Sequence, residues 1–106
     1  MRSILITLSL VCMSGAAAIG ADAAAGQADY ARACKSCHGA DGTPNPAIAK
    51  MMKVDMKDFK SAEVQALTND DIKKIISGGK GKMRPIASVS GAAQDNVAAY
   101  IHTLKK

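Results

Sequence analysis

Apolar positions along this chain recur at spacings of three and four and nowhere form a convincing alternation, so the pattern predicts helices joined by turns and no strand. Gly26, Tyr30, Ala33 and Cys37 fall on one side of a first helix running from Gly26 to Cys37. A loop holding Gly39, Gly42, Pro44 and Pro46 follows, and Pro46 opens a short helix through Lys53, its missing N–H costing nothing in a first turn. A further helical piece spans Ser61 to Leu67. Thr68 and Asp71 then form a Thr-x-x-Asp cap for a helix with Ile72, Ile75 and Ile76 on its apolar side, ending at Gly78-Gly79. Ser90 is the expected cap of the last helix, where Val97, Tyr100, Ile101 and Leu104 make a buried stripe and Lys105 and Lys106 suit the negative C-terminal end. The fold class is all-α.

The N-terminal stretch has a different character. Arg2 gives a positive start, Ile4 to Met13 is an apolar run, and Ala21-Asp22-Ala23 offers small residues ahead of a cleavage point, which together describe a secretory signal peptide. The expected division is a signal at 1–23 and one domain at 24–106, with cuts after Ala18 or Ala25 as alternatives. The apolar run is shorter than the about 20 residues a membrane helix needs, so no stable membrane insertion is expected and the chain is read as periplasmic. Cys12 lies inside this run after the large Val11, not after the small residue a lipid-modified cysteine follows, and is discarded with the signal.

The remaining residues, about 83, approach the lower size at which a protein core suffices alone. Only 3% of the chain is aromatic and there is no Trp, so something beyond side chains has to supplement the interior.

Cys34-Lys35-Ser36-Cys37-His38 supplies the candidate. Cys-x-x-Cys-His is the spacing with which two thiols bond to the vinyl groups of a haem while the adjacent imidazole ligates the iron. Zinc would need a second ligand cluster, yet outside the motif only Cys12 and His102 remain. A thioredoxin-like redox pair follows a strand in a βαβ pattern, which this chain lacks. One covalently attached haem c is therefore expected, and it doubles as part of the core.

With these residues the mature chain resembles a small class I cytochrome c, similar to the soluble short bacterial and c6-like carriers. The resemblance implies a small cytochrome c fold, helices wrapped around one haem, with the motif ending the first helix and a methionine near the C-terminal end as sixth ligand. It also implies that Gly26 and Tyr30 of the first helix meet Val97 and Tyr100 of the last. Gly81-Lys82-Met83 resembles the family's methionine loop, although Arg84 stands between Met83 and Pro85 where many relatives have proline directly. A six-coordinate carrier needs a second strong ligand, and a thioether raises the reduction potential, so the iron is assigned to His38 and Met83. Met51, Met52 and Met56 are read as flexible filler packed near the haem. By the same resemblance a proline carbonyl orients His38, with Pro46 the choice and Pro44 the alternative. His102 is off the apolar stripe and is read as facing solvent.

Charge bears on partners. The net charge of +5 is unchanged by losing Arg2 and Asp22. Lys80, Lys82 and Arg84 flank the proposed ligand and Lys35 lies within the motif, a basic set suited to redox proteins with acidic docking surfaces. Lys50, Lys53, Lys57, Lys60, Lys73 and Lys74 are read as solvating the surface. Export and three aromatics disfavour nucleic-acid binding. The expected function is one-electron carriage by a periplasmic monomer that transforms no substrate. The alternatives are a haem enzyme or gas sensor with an open sixth position and an electron-entry subunit of a larger oxidoreductase.

Overall fold

The computed structural model describes residues 21–105, so the expected signal sequence and Cys12 lie outside the described residues, apart from the stretch that follows Gly20. Among the described residues six helices occur in order: α1 (Ala23–Ala33), α2 (Lys35–His38), α3 (Pro46–Met52), α4 (Ala62–Gln65), α5 (Asn69–Gly78) and α6 (Ala92–His102). Among the described residues there is no strand; the one β-type pairing is an isolated bridge between Lys80 and Met83.

α1 and α6 share the most extensive helix packing, and α5 lies against α6. The crossing is possible because Gly26 is buried with no side chain: a Cβ there would lie 1.9 Å from the Asn96 carbonyl oxygen. One turn on, Tyr30 is fully buried and meets Tyr100 edge-on at 5.0 Å between ring centroids. Val97, Ala98 and Ile101 of α6 join Tyr30, Val64, Ile72, Ile76 and Val89 in the buried core. The start of α1 is fixed by Asp22, whose carboxylate accepts from the N–H groups of Ala24 and Ala25 while its own N–H donates to Asn96 Oδ1 at 2.8 Å.

The first helix does not run through to Cys37. Cys34 leaves helical geometry at φ −122°, ψ −31°, and α2 is a separate single turn closed by Gly39 at φ 73°. α3 starts at Pro46 as expected, with Asn45 Oδ1 accepting from the Ala47 N–H, and ends one residue short of Lys53, which turns left-handed at φ 55°. Thr68 and Asp71 form the full reciprocal capping box on α5. Ser90 is not the cap of α6: Gly91, at φ 59°, holds that position without a side-chain bond, and Ser90 contributes its backbone carbonyl to the Ala93 N–H. His102 faces inward rather than to solvent; its ring Nε2 lies 2.8 Å from the Leu67 carbonyl and ties the end of α6 to the segment before α5.

Candidate haem site

Between α2, α3, α5 and the loop after α5 lies a cavity of about 660 Å³, within the usual range for cofactor sites. Its walls are mostly apolar, from Ile48, Val54, Val64, Leu67, Ile75 and Ile76 among others. Cys34, Cys37, His38 and Met83 all line it, so the folded chain brings the four residues singled out by sequence to one space. The break at Cys34 makes this possible: a separate turn lets both thiols and the imidazole address the cavity while α1 keeps its packing on α6.

His38 is held by the backbone that follows it and by a neighbouring ring of the cavity wall. Tyr30 donates its hydroxyl to the Gly39 carbonyl at 2.6 Å, and Tyr100 donates to the Ala40 carbonyl at 3.2 Å, so both core tyrosines tie down the backbone after the motif. Phe59 stacks on the imidazole with 4.4 Å between centroids and 23° between planes. Phe59 is a site residue the sequence pattern offered no means to find, because its position depends on the Phe59 N–H reaching the Gly42 carbonyl across the loop. Asn45 was equally hidden: its N–H donates to the Cys37 carbonyl and its Nδ2 to the Ser36 carbonyl. His38 Nδ1 is buried and has no hydrogen-bond partner, so neither Pro46 nor Pro44 provides the carbonyl acceptor expected of it. Pro46 instead opens α3, where its carbonyl runs along that helix axis.

Burial governs the protonation of these groups. Desolvation lowers the pKa of His38, so its imidazole is neutral at pH 7 and keeps a lone pair for a metal. Desolvation pushes the Cys34 thiol up to about 11, the opposite of the activated thiolate that disulfide exchange requires. A neutral imidazole, two free thiols and a thioether lining one apolar cavity make a donor set that fits a covalently attached haem.

Met83 is presented by a tight turn. Lys80 and Met83 exchange backbone hydrogen bonds of 3.0 and 2.9 Å, and positive φ at Gly81 (57°) but not at Lys82 is the pattern of a type II′ turn. Gly79 permits the approach, since at φ 74° a Cβ would lie 2.5 Å from the Met83 carbonyl oxygen. Met52 and Met56 also line the cavity, in keeping with their reading as filler, whereas Met51 is 69% exposed and fills nothing. Lys80, Lys82, Arg84 and Lys57 stand at the cavity wall. Lys57 pairs with Glu63, Lys73 with Asp95, and Lys60 with Thr43, Asp41 and Asp58, so these three lysines have structural partners and do more than solvate.

An all-helical fold around a cavity lined by a Cys-x-x-Cys-His motif and a methionine defines a c-type cytochrome domain. The solved structure of the KustC0563 c-type cytochrome is similar, with a TM-score of 0.65 and 26% identity, covering 76% of this chain and 98% of that one. The family model described as cytochrome C oxidase, cbb3-type, subunit III matches residues 21–101, and the chain belongs to that family. The cbb3-type cytochrome c oxidase subunit CcoP of Rubrivivax gelatinosus is 33% identical over 84 residues, which is 76% of this chain and 25% of that protein. The chain thus spans a quarter of the length of that relative. Family and fold together make this a small class I-like cytochrome c, an electron-transfer protein with covalently bound haem c.

Proposed function

We propose that this chain carries single electrons between redox proteins outside the cytosol and transforms no substrate. The observation that carries the reading is the convergence of Cys34, Cys37, His38 and Met83 on one apolar cavity. In this reading Cys34 and Cys37 hold the haem through thioether bonds, and His38 and Met83 are its two axial ligands. The haem supplies a reversible one-electron couple at its iron. The protein's part is to keep both ligands in place in each oxidation state: Phe59 stacks against His38, the tyrosine hydroxyls fix the following backbone, and the Lys80–Met83 turn presents the thioether. Apolar walls exclude water, which limits reorganisation when charge changes.

The test is the optical spectrum of the haem-loaded protein. The ferric form is expected to be low-spin with the weak red charge-transfer band of iron–thioether ligation, and Met83→Ala abolishes that band. Survival of the band in Met83→Ala would overturn the ligand assignment. Rapid carbon monoxide binding by the native ferrous protein would favour an enzyme or gas sensor with an open sixth position instead.

Family membership favours a second reading, an electron-entry domain of a terminal oxidase, since the family model and the Rubrivivax gelatinosus relative both carry oxidase-subunit names. Co-purification with a membrane oxidase supports that reading; a monomer on gel filtration that reduces several acidic partners supports the free carrier. No helix among the described residues is long and apolar enough to cross a membrane.

The proposed signal peptide is best cut after Ala18, of the positions weighed above. Cuts after Ala23 or Ala25 would remove Asp22, the residue that caps α1 and binds Asn96. N-terminal sequencing of the exported protein decides between them.

A further inference from the structure

The turn that presents Met83 has a second attachment, on the far side of the cavity. Lys82, the second residue of the turn tip, donates its ammonium to the Met52 carbonyl at 2.5 Å across 30 residues of sequence. Met52 is the last residue of α3, where helix carbonyls lack intrahelical partners and the helix end is negative. The Lys53 N–H turns back to Ala49 and Lys50, and the Val54 N–H to Ala49, so the Met52 carbonyl is left for Lys82. Both Lys82 and Met52 line the cavity, and the bond therefore bridges two of its walls.

α3 has few other restraints. It shares no extensive packing with another helix. Its N-terminal end is tied to the haem motif, through the Asn45 N–H to Cys37 and Asn45 Nδ2 to Ser36. Its C-terminal end is tied to the Met83 turn by Lys82. The turn itself is anchored at its base by the Ile86 N–H donating to the Ile76 carbonyl at 2.8 Å, which leaves the tip dependent on the Lys82 contact.

We propose that Lys82 is a positioning residue, a latch whose bond to the Met52 carbonyl clasps the Met83 turn to α3 and sets how readily the sixth position opens to an outside ligand. The proposal rests on the reading of Met83 as that ligand, and it concerns what holds the thioether in place rather than whether it binds. Lys80 and Arg84 carry the same charge near the same cavity, but neither has a hydrogen bond across it among the described residues. Charge alone and the latch are thereby separable.

The experiment uses the haem-loaded protein and Lys82→Ala, Lys82→Arg and Lys80→Ala variants, all at exposed positions that leave the buried core untouched. Imidazole is titrated into each ferric protein while the thioether band is followed. A hydrogen bond from a charged donor, when lost, changes such an equilibrium by about tenfold. Lys82→Ala is expected to bind imidazole about tenfold more tightly, with Lys82→Arg restoring the native value and Lys80→Ala matching it. Amide hydrogen exchange provides a readout that does not depend on the iron: residues 46–54 and 79–86 exchange faster together in Lys82→Ala and in neither control. Wild-type behaviour in Lys82→Ala, an equal gain in imidazole affinity or exchange rate in Lys80→Ala, or failure of Lys82→Arg to restore either readout overturns the latch. If the wild-type protein shows no thioether band, the Met83 assignment fails, and hydrogen exchange alone then decides whether Lys82 joins the two segments.

Discussion

Gly26 shows how one missing atom positions the whole site. With a Cβ 1.9 Å from the Asn96 carbonyl oxygen, any side chain at this position forces α1 and α6 apart, and Tyr30 with them. Tyr30 carries the hydroxyl that fixes the Gly39 carbonyl, so the strain is transmitted to the haem motif. Gly26→Ala is expected to destabilise the protein by roughly 1–3 kcal/mol, the usual range for overpacking, as read from thermal unfolding. At the same scale His38 illustrates the limit of motif reading. Its place was evident from Cys-x-x-Cys-His, but the ring that stacks on it comes from Phe59, and no proline carbonyl serves its buried Nδ1. Neither contact has a sequence signature, because both depend on how the loop between Gly39 and Ser61 folds back.

At the scale of elements, α5 was readable in full. Thr68-x-x-Asp71 announced its start, the isoleucines its buried face and Gly78-Gly79 its end, and the reciprocal capping bonds are both present. Thr68→Ala is expected to cost about 1 kcal/mol, lowering Tm by about 4–8 °C in a domain of this size. The bonds to Thr68 hold the Asp71 carboxyl below its usual pKa. A group depressed in the folded state stabilises at pH values above its unfolded pKa and loses that contribution as pH falls through the folded one. Acidification below about pH 4 should therefore lower Tm less in Asp71→Asn than in the wild-type chain. The other ends were harder to place. The break at Cys34 carries no signal in apolar spacing, since helix-forming residues stand on both sides of it, and at α6 Ser90 and Gly91 both offer a start that spacing does not choose between. The inward turn of His102 likewise depends on a carbonyl 35 residues away.

For the whole molecule, the cavity is large relative to the core around it. Among the described residues the buried core holds eight hydrophobic side chains beside a cavity of about 660 Å³, too little to hold this many helical turns without the haem filling it. A Cys34→Ala, Cys37→Ala, His38→Ala chain, unable to retain haem, is expected to lose most helical ellipticity in circular dichroism and to melt without a sharp transition. The basic wall at Lys80, Lys82 and Arg84 predicts a further property of the intact protein. Its electron-transfer rate with an acidic partner should fall as ionic strength rises from about 0.01 to 0.15 M, measured by stopped-flow.

The sequence by itself determined the helical class, the cofactor and the residues that approach it, because apolar periodicity, capping pairs and the Cys-x-x-Cys-His spacing are local and survive in one dimension. The meeting of Gly26 and Tyr30 with the last helix was expected from the family resemblance and is present; tertiary structure alone decided the Phe59 stack on His38 and the Lys82 bond to α3. Each joins positions far apart in sequence, and such contacts follow from the packing of the whole chain rather than from the propensity of any one segment.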